Sequence, residues 1–312
     1  MRVAVIGYGA VGREMTRLLR ERGHDVRVVQ RRAPADLPAG VEAAAADVLD
    51  AESLKNACAG VRALICCLGF PYDSRLWDRA WPSAMSNMLA VCAGQGARFV
   101  FADNLYMYGP QDKPLREDMA LTEFGRKPRL RAQITRQWLE AHRAGQVEAV
   151  AVRASDFYGP RAENSVLAEY GVRRLMQGHP ALIPYGVDYL HDFTYTPDFA
   201  RALVTLLEAD SEAYGQAWHA PNAPTQTLRS LLSDAADMIG APLRLRQPPR
   251  LALKLLGLFD RQVFELEEMS FQTDRPYRVD SRKFAEKFWA DATPFVTGLA
   301  ATIASCRGEG AG

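Results

Sequence analysis

The chain has 312 residues, 48% hydrophobic and 24% charged, with 38 Lys+Arg against 37 Asp+Glu and a formal net charge of +1. Those are the proportions of a soluble globular protein long enough to bury about 75% of the surface its unfolded chain exposes. The charge balance argues against nucleic-acid binding by bulk charge and against a polybasic membrane patch, and no run approaches the ~20 apolar residues of a membrane span.

Five cysteines, Cys58, Cys66, Cys67, Cys92 and Cys306, are odd in number, include an adjacent pair and form no CxxC. This argues against a disulfide framework or a zinc site, and for reduced thiols in a cytoplasmic protein. No metal site is expected, and the N-terminus does not read as a signal peptide, because its apolar run is short and broken by glycines.

In chain order, residues 2–6 (RVAVI) predict a buried strand. Glycines follow at 7, 9 and 12, and Met15, Leu18 and Leu19 space a helix from Glu14 to Arg22 that Gly23 ends. Val26–Val29 predict a second strand, and residues 33–40 a Pro/Gly loop. Asp47 and Asp50 flank the turn into a helix over 51–59. Ala63–Leu68 reads as a buried strand stopped by Gly69. A helix near 78–94 leads to a strand over Arg98–Ala102, and one near 128–144 leads to a strand over Val147–Arg153. Strands and helices alternating at this spacing give βαβ units and a parallel sheet. After Gly159-Pro160 the alternation weakens. Helices are expected over 164–178, 196–208 and 228–239, and short strands near 182–184 and 216–219. Residues 242–275 read as a substrate-side appendage with a Leu-rich helix at 251–266, and Arg307–Gly312 as a mobile tail.

The expected architecture is therefore α/β: a Rossmann-type doubly wound parallel sheet with a smaller C-terminal substrate-binding subdomain. Residues 1–160 form the nucleotide domain, and residues 161–306 are mostly substrate-binding, with some segments returning to the core.

The motif Gly7-x-Gly9-x-x-Gly12 closes the first strand and opens a helix through Ala10 and Val11. Gly7 permits the tight turn, Gly9 lets backbone approach a pyrophosphate, and Gly12 lets helix and strand pack closely. The helix N-terminus then meets the phosphates. The second strand ends at Gln30-Arg31-Arg32. There is no carboxylate to hold a ribose 2′-hydroxyl and there are two guanidiniums that can grip a 2′-phosphate, so NADP is expected, with NAD as the lesser candidate. Asp47-Val48 lies where such folds contact the adenine, although Asp47 reads equally as an N-cap. Leu68-Gly69 ends the fourth strand at the carboxyl edge, where ligands of open α/β sheets bind.

These features, with Asn104-x-x-Met107-Tyr108-Gly109, Arg153-x-x-Asp156-Phe157-Tyr158-Gly159-Pro160 and His191-Asp192-Phe193-Thr194-Tyr195-x-x-Asp198, resemble the extended short-chain dehydrogenases/reductases, the NAD(P)-dependent epimerase/dehydratase group. The resemblance covers about residues 1–300. It departs from the family pattern in its shorter first glycine spacing. Asn104 stands where the family carries a catalytic Ser or Thr. The family's Tyr-x-x-x-Lys pair, which implies a general acid/base tyrosine and a lysine that lowers its pKa, is absent. The best-matched spacing is Lys127-x-x-x-Arg131.

In place of the missing pair, Tyr106 or Tyr108 could supply a phenol, Asn104 could donate a hydrogen bond to a substrate oxygen as the Ser would, and Lys127 falls near the expected nicotinamide, so Asn104, Tyr106 and Lys127 are the catalytic candidates. Lys127, desolvated beside Arg131, could act as a general acid, or both cations could only bind phosphate or ribose. Ser155 falls beside the expected nicotinamide, and Tyr108, Asp156 and His191 are expected at the substrate. Asp156 replaces the usual Asn of sugar-nucleotide enzymes and His191 the usual Arg. The first change weighs against a nucleotide-sugar, because a carboxylate repels a diphosphate, and the loss of the Arg weakens that reading again. Asp198 is expected to cap the helix that follows.

The function expected is an NADP-dependent oxidoreductase or epimerase acting on a small carbonyl or hydroxyl compound by nicotinamide hydride transfer. The alternative is a non-catalytic NADP(H)-binding redox sensor. A third, a structural factor that has lost the cofactor, conflicts with the intact glycine turn. The partner expected is a small molecule, with no nucleic acid or membrane, and the resemblance implies a homodimer.

Overall fold

The computed structural model describes residues 1–163, 165–184, 186–249, 255, 259 and 261–309. The alternating segments become β1 (Arg2–Ile6), α1 (Ala10–Glu21), β2 (Asp25–Gln30), β3 (Glu42–Ala45), α2 (Ala51–Ala57), β4 (Ala63–Cys66), α3 (Ser74–Gln95), β5 (Arg98–Asp103), α4 (Lys127–Arg143) and β6 (Ala149–Arg153). Every residue of β4 and β6 is buried, as in strands covered on both faces. β1 pairs in parallel with β2 and β4, and the ladder continues in parallel through β3 on one side and through β5 and β6 on the other. A last strand, Ala217–His219, completes a seven-stranded sheet in the order β3-β2-β1-β4-β5-β6-last. The order reverses between β1 and β4, which opens a crevice at their carboxyl ends. The expected Rossmann-type sheet is present.

The chain divides into two compact units. One comprises Met1–Tyr108, Ala120–Arg153 and Phe199–Trp218; the other Gly109–Met119, Ala154–Asp198 and His219–Gly312. In the first, Leu54, Trp81, Met85, Met88, Phe99, Phe101, Ile134 and Trp138 fill the core around the sheet. α3 begins earlier than its apolar spacing suggests, because Asp73 caps it, accepting from the N–H groups of Arg75 and Leu76 at 2.8 and 3.1 Å. α2 is capped by Asp50 through the N–H groups of Glu52 and Ser53. Asp47 is not its cap; Asp47 accepts from the N–H of Leu49 at 3.0 Å.

In the second unit, strand Asp156–Tyr158 pairs in parallel with Phe193–Tyr195, and Leu190–His191 pairs antiparallel with Gln226–Thr227. Its core holds Tyr158, Leu167, Leu175, Phe193, Leu231, Leu232 and Leu299. The helix expected over 164–178 instead opens as a π-helical turn at Ala168–Arg173, with α-helix only over Arg174–Met176. Gly171 packs there so closely that a Cβ would meet Leu232 Cδ2 at 2.5 Å. Asp198 lies inside the first turn of helix Thr196–Glu208 and does not cap it. Its carboxylate accepts from the N–H and Oγ1 of Thr293 at 2.7 and 2.9 Å. Helix Phe295–Glu309 runs through Arg307, where a mobile tail was expected to begin, and the last three residues lie outside the described ones. Half of the expected Leu-rich helix at 251–266 also lies outside them; a helix is described at Arg261–Glu268. Among the described residues no helix is long and apolar enough to cross a membrane.

Candidate active site

The β1–α1 turn shows what each glycine does. Gly7 has φ +93°, a conformation that L side chains rarely adopt. A Cβ on Gly12 would meet the Gly7 carbonyl oxygen at 2.1 Å. Gly9 caps α1 from an extended conformation, no side chain caps that end, and the first turn carries no acidic residue. A Cβ on Gly9 would meet nothing within 4 Å. The fold therefore needs Gly7 and Gly12 for its own packing, while Gly9 leaves open space at a helix N-terminus suited to an anion.

Around this turn, Arg31 and Arg32 are exposed after β2, and the Gln30 amide donates to the Arg32 carbonyl at 2.8 Å. Val48 is buried, and its carbonyl accepts from Asn87 Nδ2 at 2.9 Å. Leu68 and Gly69 follow β4, and a Cβ on Gly69 would also meet open space.

A buried charge cluster sits at the ends of β5 and β6. Asp103 is paired with Arg131, and its second oxygen lies 3.4 Å from Arg153 Nε. Arg153 also donates to the Tyr108 hydroxyl at 2.5 Å and to Thr135 Oγ1 at 3.1 Å. Burial opposes the Arg153 charge most strongly, but Tyr108 and Asp103 together hold its guanidinium above the usual range. The Arg131 guanidinium lies over the rings of Trp81 and Phe101, 4.5 and 4.9 Å from their centroids. Arg131, expected at the phosphates or ribose, is thus turned into the interior, and Tyr108, expected at the substrate, is wholly buried with its hydroxyl on Arg153. In both cases the deeply buried carboxylate and guanidiniums have to satisfy one another.

Asn104 and Tyr106 share one turn, where Asn104 Oδ1 accepts from the Tyr106 N–H at 3.0 Å. The Tyr106 ring stacks on Trp77 at 6.4 Å and 12°. Lys127 opens α4 with 0% exposure, and its ammonium lies 4.2 Å above the centroid of the Tyr72 ring. Reading the sequence for motifs missed Asp103, Trp77 and Tyr72. The only signals were an acid closing a buried strand and an aromatic cluster following Gly69.

In the second unit Ser155 is buried. Its N–H donates to Thr194 Oγ1 at 3.0 Å, and Thr194 donates to Asn222 Oδ1 at 2.7 Å. Ser155 Oγ itself has no hydrogen-bond partner among the described residues. Asp156 and His191 are brought together, with Oδ2 and Nε2 3.0 Å apart. The angle does not complete a hydrogen bond, and the buried Nε2 has no hydrogen-bond partner among the described residues. The imidazole packs between Phe193 and Tyr277, with centroids at 4.5 and 5.3 Å. Asp156 and His191 line a small recess with Val166, Ile183, Phe193 and Leu228.

The model of the NAD dependent epimerase/dehydratase family matches residues 3–219. Among solved structures, the chain is similar to a Thermus thermophilus UDP-glucose 4-epimerase in complex with NAD, with 20% identity, 99% of each chain covered and a TM-score of 0.78. It is also similar to a Thermotoga maritima UDP-glucose 4-epimerase with UDP-glucose, at 16% identity, 99% of each chain and 0.81. A third is a Tyr-to-Phe mutant of a Bacillus cereus UDP-glucuronic acid 4-epimerase in complex with UDP-4-deoxy-4-fluoro-glucuronic acid and NAD, at 15% identity, 99% of this chain and 100% of that one, and 0.80. No curated protein matches the chain.

The expectation that NADP is preferred is overturned: the matched family is NAD dependent, and the two similar structures that hold a dinucleotide hold NAD. The physical reason for the error is that Arg31 and Arg32 are exposed surface side chains, and an arginine pair after β2 does not by itself build a phosphate cradle. With the family match running over more than half of the chain and the seven-stranded sheet beneath it, the protein belongs to the NAD dependent epimerase/dehydratase family.

Proposed function

We propose that the protein is an NAD-dependent oxidoreductase or epimerase that acts on a small carbonyl or hydroxyl compound by hydride transfer. The observation that carries this reading is the glycine turn, where Gly9 leaves open space that no packing demand of the fold explains. Gly7, Gly9, Ala10, Val11 and Gly12 would hold the pyrophosphate, Asp47 and Val48 the adenosine end, and Leu68 and Gly69 the approach to the nicotinamide. The bound dinucleotide would supply a hydride acceptor or donor. Asn104 and Tyr106 orient the substrate oxygen. Lys127 is fully buried against Tyr72, so it acts through a neighbour and not on the substrate itself. Within the second unit, Ser155, Asp156 and His191 are the residues offered for substrate contact. The Asp156 carboxylate repels a diphosphate, which favours a small uncharged compound over a nucleotide-sugar.

A reducing, cytoplasmic setting fits the odd number of cysteines; burial pushes the Cys58 and Cys66 thiols up to about 11 and about 12. The reading includes a homodimer, as the family resemblance implies.

The test is a fluorescence titration with NADH, followed by NADH oxidation against a panel of small aldehydes and ketones. Saturable binding and turnover of at least one compound support the reading, and no binding of NADH or NAD sinks it. The buried Lys127 and the missing Tyr-x-x-x-Lys favour one other reading, a non-catalytic NAD(H)-binding sensor. Binding without turnover of any panel compound, unchanged by Lys127→Met, would establish that instead.

A further inference from the structure

The family's tyrosine–lysine pair is absent from α4, yet the structure brings a tyrosine and a lysine together from different elements. Lys127 opens α4 and Tyr72 lies in the loop between β4 and α3. The ammonium sits 4.2 Å from the ring centroid, close enough for a strong cation–π contact. The two partners differ in access. Lys127 has no exposed surface, whereas Tyr72 is only partly buried.

Tyr72 is also held firmly for a loop residue. On one side of it, the Pro71 carbonyl accepts from Trp77 Nε1 at 2.9 Å. On the other, Asp73 is fixed as the cap of α3. The Tyr72 ring packs edge-on against Trp77 at 5.6 Å, and Trp77 also stacks with Tyr106. The charge that meets the Tyr72 ring is the Lys127 ammonium from α4. The Asp73 carboxylate next in the chain accepts from the N–H groups of Arg75 and Leu76.

We propose that Tyr72 is the proton donor and acceptor of this enzyme, with Lys127 as its positioning residue. The proposal rests on the hydride-transfer reading above. A cation against the ring stabilises negative charge developing on the phenol oxygen, which is what a tyrosine acting as base requires. In the oxidative direction the Tyr72 phenolate takes the proton of the substrate hydroxyl. The carbon–hydrogen bond breaks, its electron pair leaves as hydride to NAD, and the carbonyl π bond forms. In the reductive direction the carbonyl carbon receives hydride and Tyr72 returns the proton to the oxygen. Asn104 and Tyr106 orient that oxygen and undergo no change of protonation.

The test is an ultraviolet titration of tyrosine ionisation in the full-length chain, comparing native protein with Tyr72→Phe. The difference should show one phenol that ionises at least about one pH unit below the ordinary tyrosine value near 10. Lys127→Met should raise that midpoint by about one unit, a tenfold change in proton affinity, while Lys127→Arg keeps it low. If Lys127→Met does not fold, the native and Tyr72→Phe pair decides alone. In turnover, Tyr72→Phe should lower kcat on a reduced panel compound by about a hundredfold or more, with NADH affinity unchanged. A Tyr72 that titrates with the other phenols, or a Lys127→Met protein with an unmoved midpoint, overturns the proposal. NADH binding by the same proteins reports separately on the dinucleotide reading.

Discussion

Gly12→Ala and Gly9→Ala should fail in opposite ways. At Gly12 the new methyl would meet the Gly7 carbonyl oxygen at 2.1 Å, about 1 Å short of a tolerable contact. The obstacle is backbone already fixed by the turn and by the Gly7 N–H bond to the Val29 carbonyl at 3.0 Å. Overpacking of this kind costs ~1–3 kcal/mol or somewhat more. At ~2–4 °C per kcal/mol for a chain of this order, Tm should fall by roughly 2–12 °C. At Gly9 the methyl enters open space, and the backbone there, φ −78° and ψ −164°, suits alanine. The weaker cap and the reduced freedom of the unfolded chain offset one another to within about 1 kcal/mol, so Tm should barely move. NADH affinity should nonetheless fall at least about tenfold, equivalent to ~1.4 kcal/mol, because that space is where the pyrophosphate would lie. Thermal melting and NADH titration on both variants make the comparison. A Gly9→Ala protein that binds NADH as well as the native chain would refute the assignment of the turn.

Three further outcomes are expected. Arg31→Ala should change NADH affinity by less than about threefold, as for an exposed side chain off the site, and native protein should bind NADPH no more tightly than NADH; a strong NADPH preference lost in the variant would restore the discarded expectation. Asp103→Ala removes the carboxylate between two buried guanidiniums and should cost ~3–5 kcal/mol in denaturant unfolding. Adding Arg131→Met should recover part of that loss, and strict additivity would show that the pair does not interact. Burial pushes the Glu117 carboxyl above its ordinary value of 4.5, against the pull of the His219 N–H that it accepts at 2.9 Å. Its contribution is therefore fully present below pH 4.5 and is lost as pH rises through the raised value. Relative to Glu117→Gln, the native chain should lose thermal stability between about pH 4 and pH 7; identical pH profiles would show that its burial carries no linkage.

The sequence by itself determined the alternation of elements, the parallel sheet and the glycine turn. These are local or nearly local properties: β-branched runs, apolar spacing, and glycines at fixed offsets between a strand and a helix. It also located the loop of Asn104 and Tyr106 and singled out Asp156 and His191, which the second unit brings to 3.0 Å. Tertiary structure decided what the charged and aromatic side chains do. Whether Arg131 reaches out to a phosphate or inward to Asp103 depends on a carboxylate 28 residues away, which no spacing rule connects to it. Tyr108 was read from its motif as facing a substrate, but buried guanidiniums need acceptors, and Arg153 on the neighbouring strand takes its hydroxyl. The discarded cofactor preference has the same origin, since two arginines after a strand say what could be gripped and not whether the backbone arranges them to grip it. The contact of Tyr72 with Lys127, 55 residues apart in sequence, exists only because the parallel sheet sets the end of β4 beside that of β5, and the packing of α3 and α4 over them brings the two side chains together.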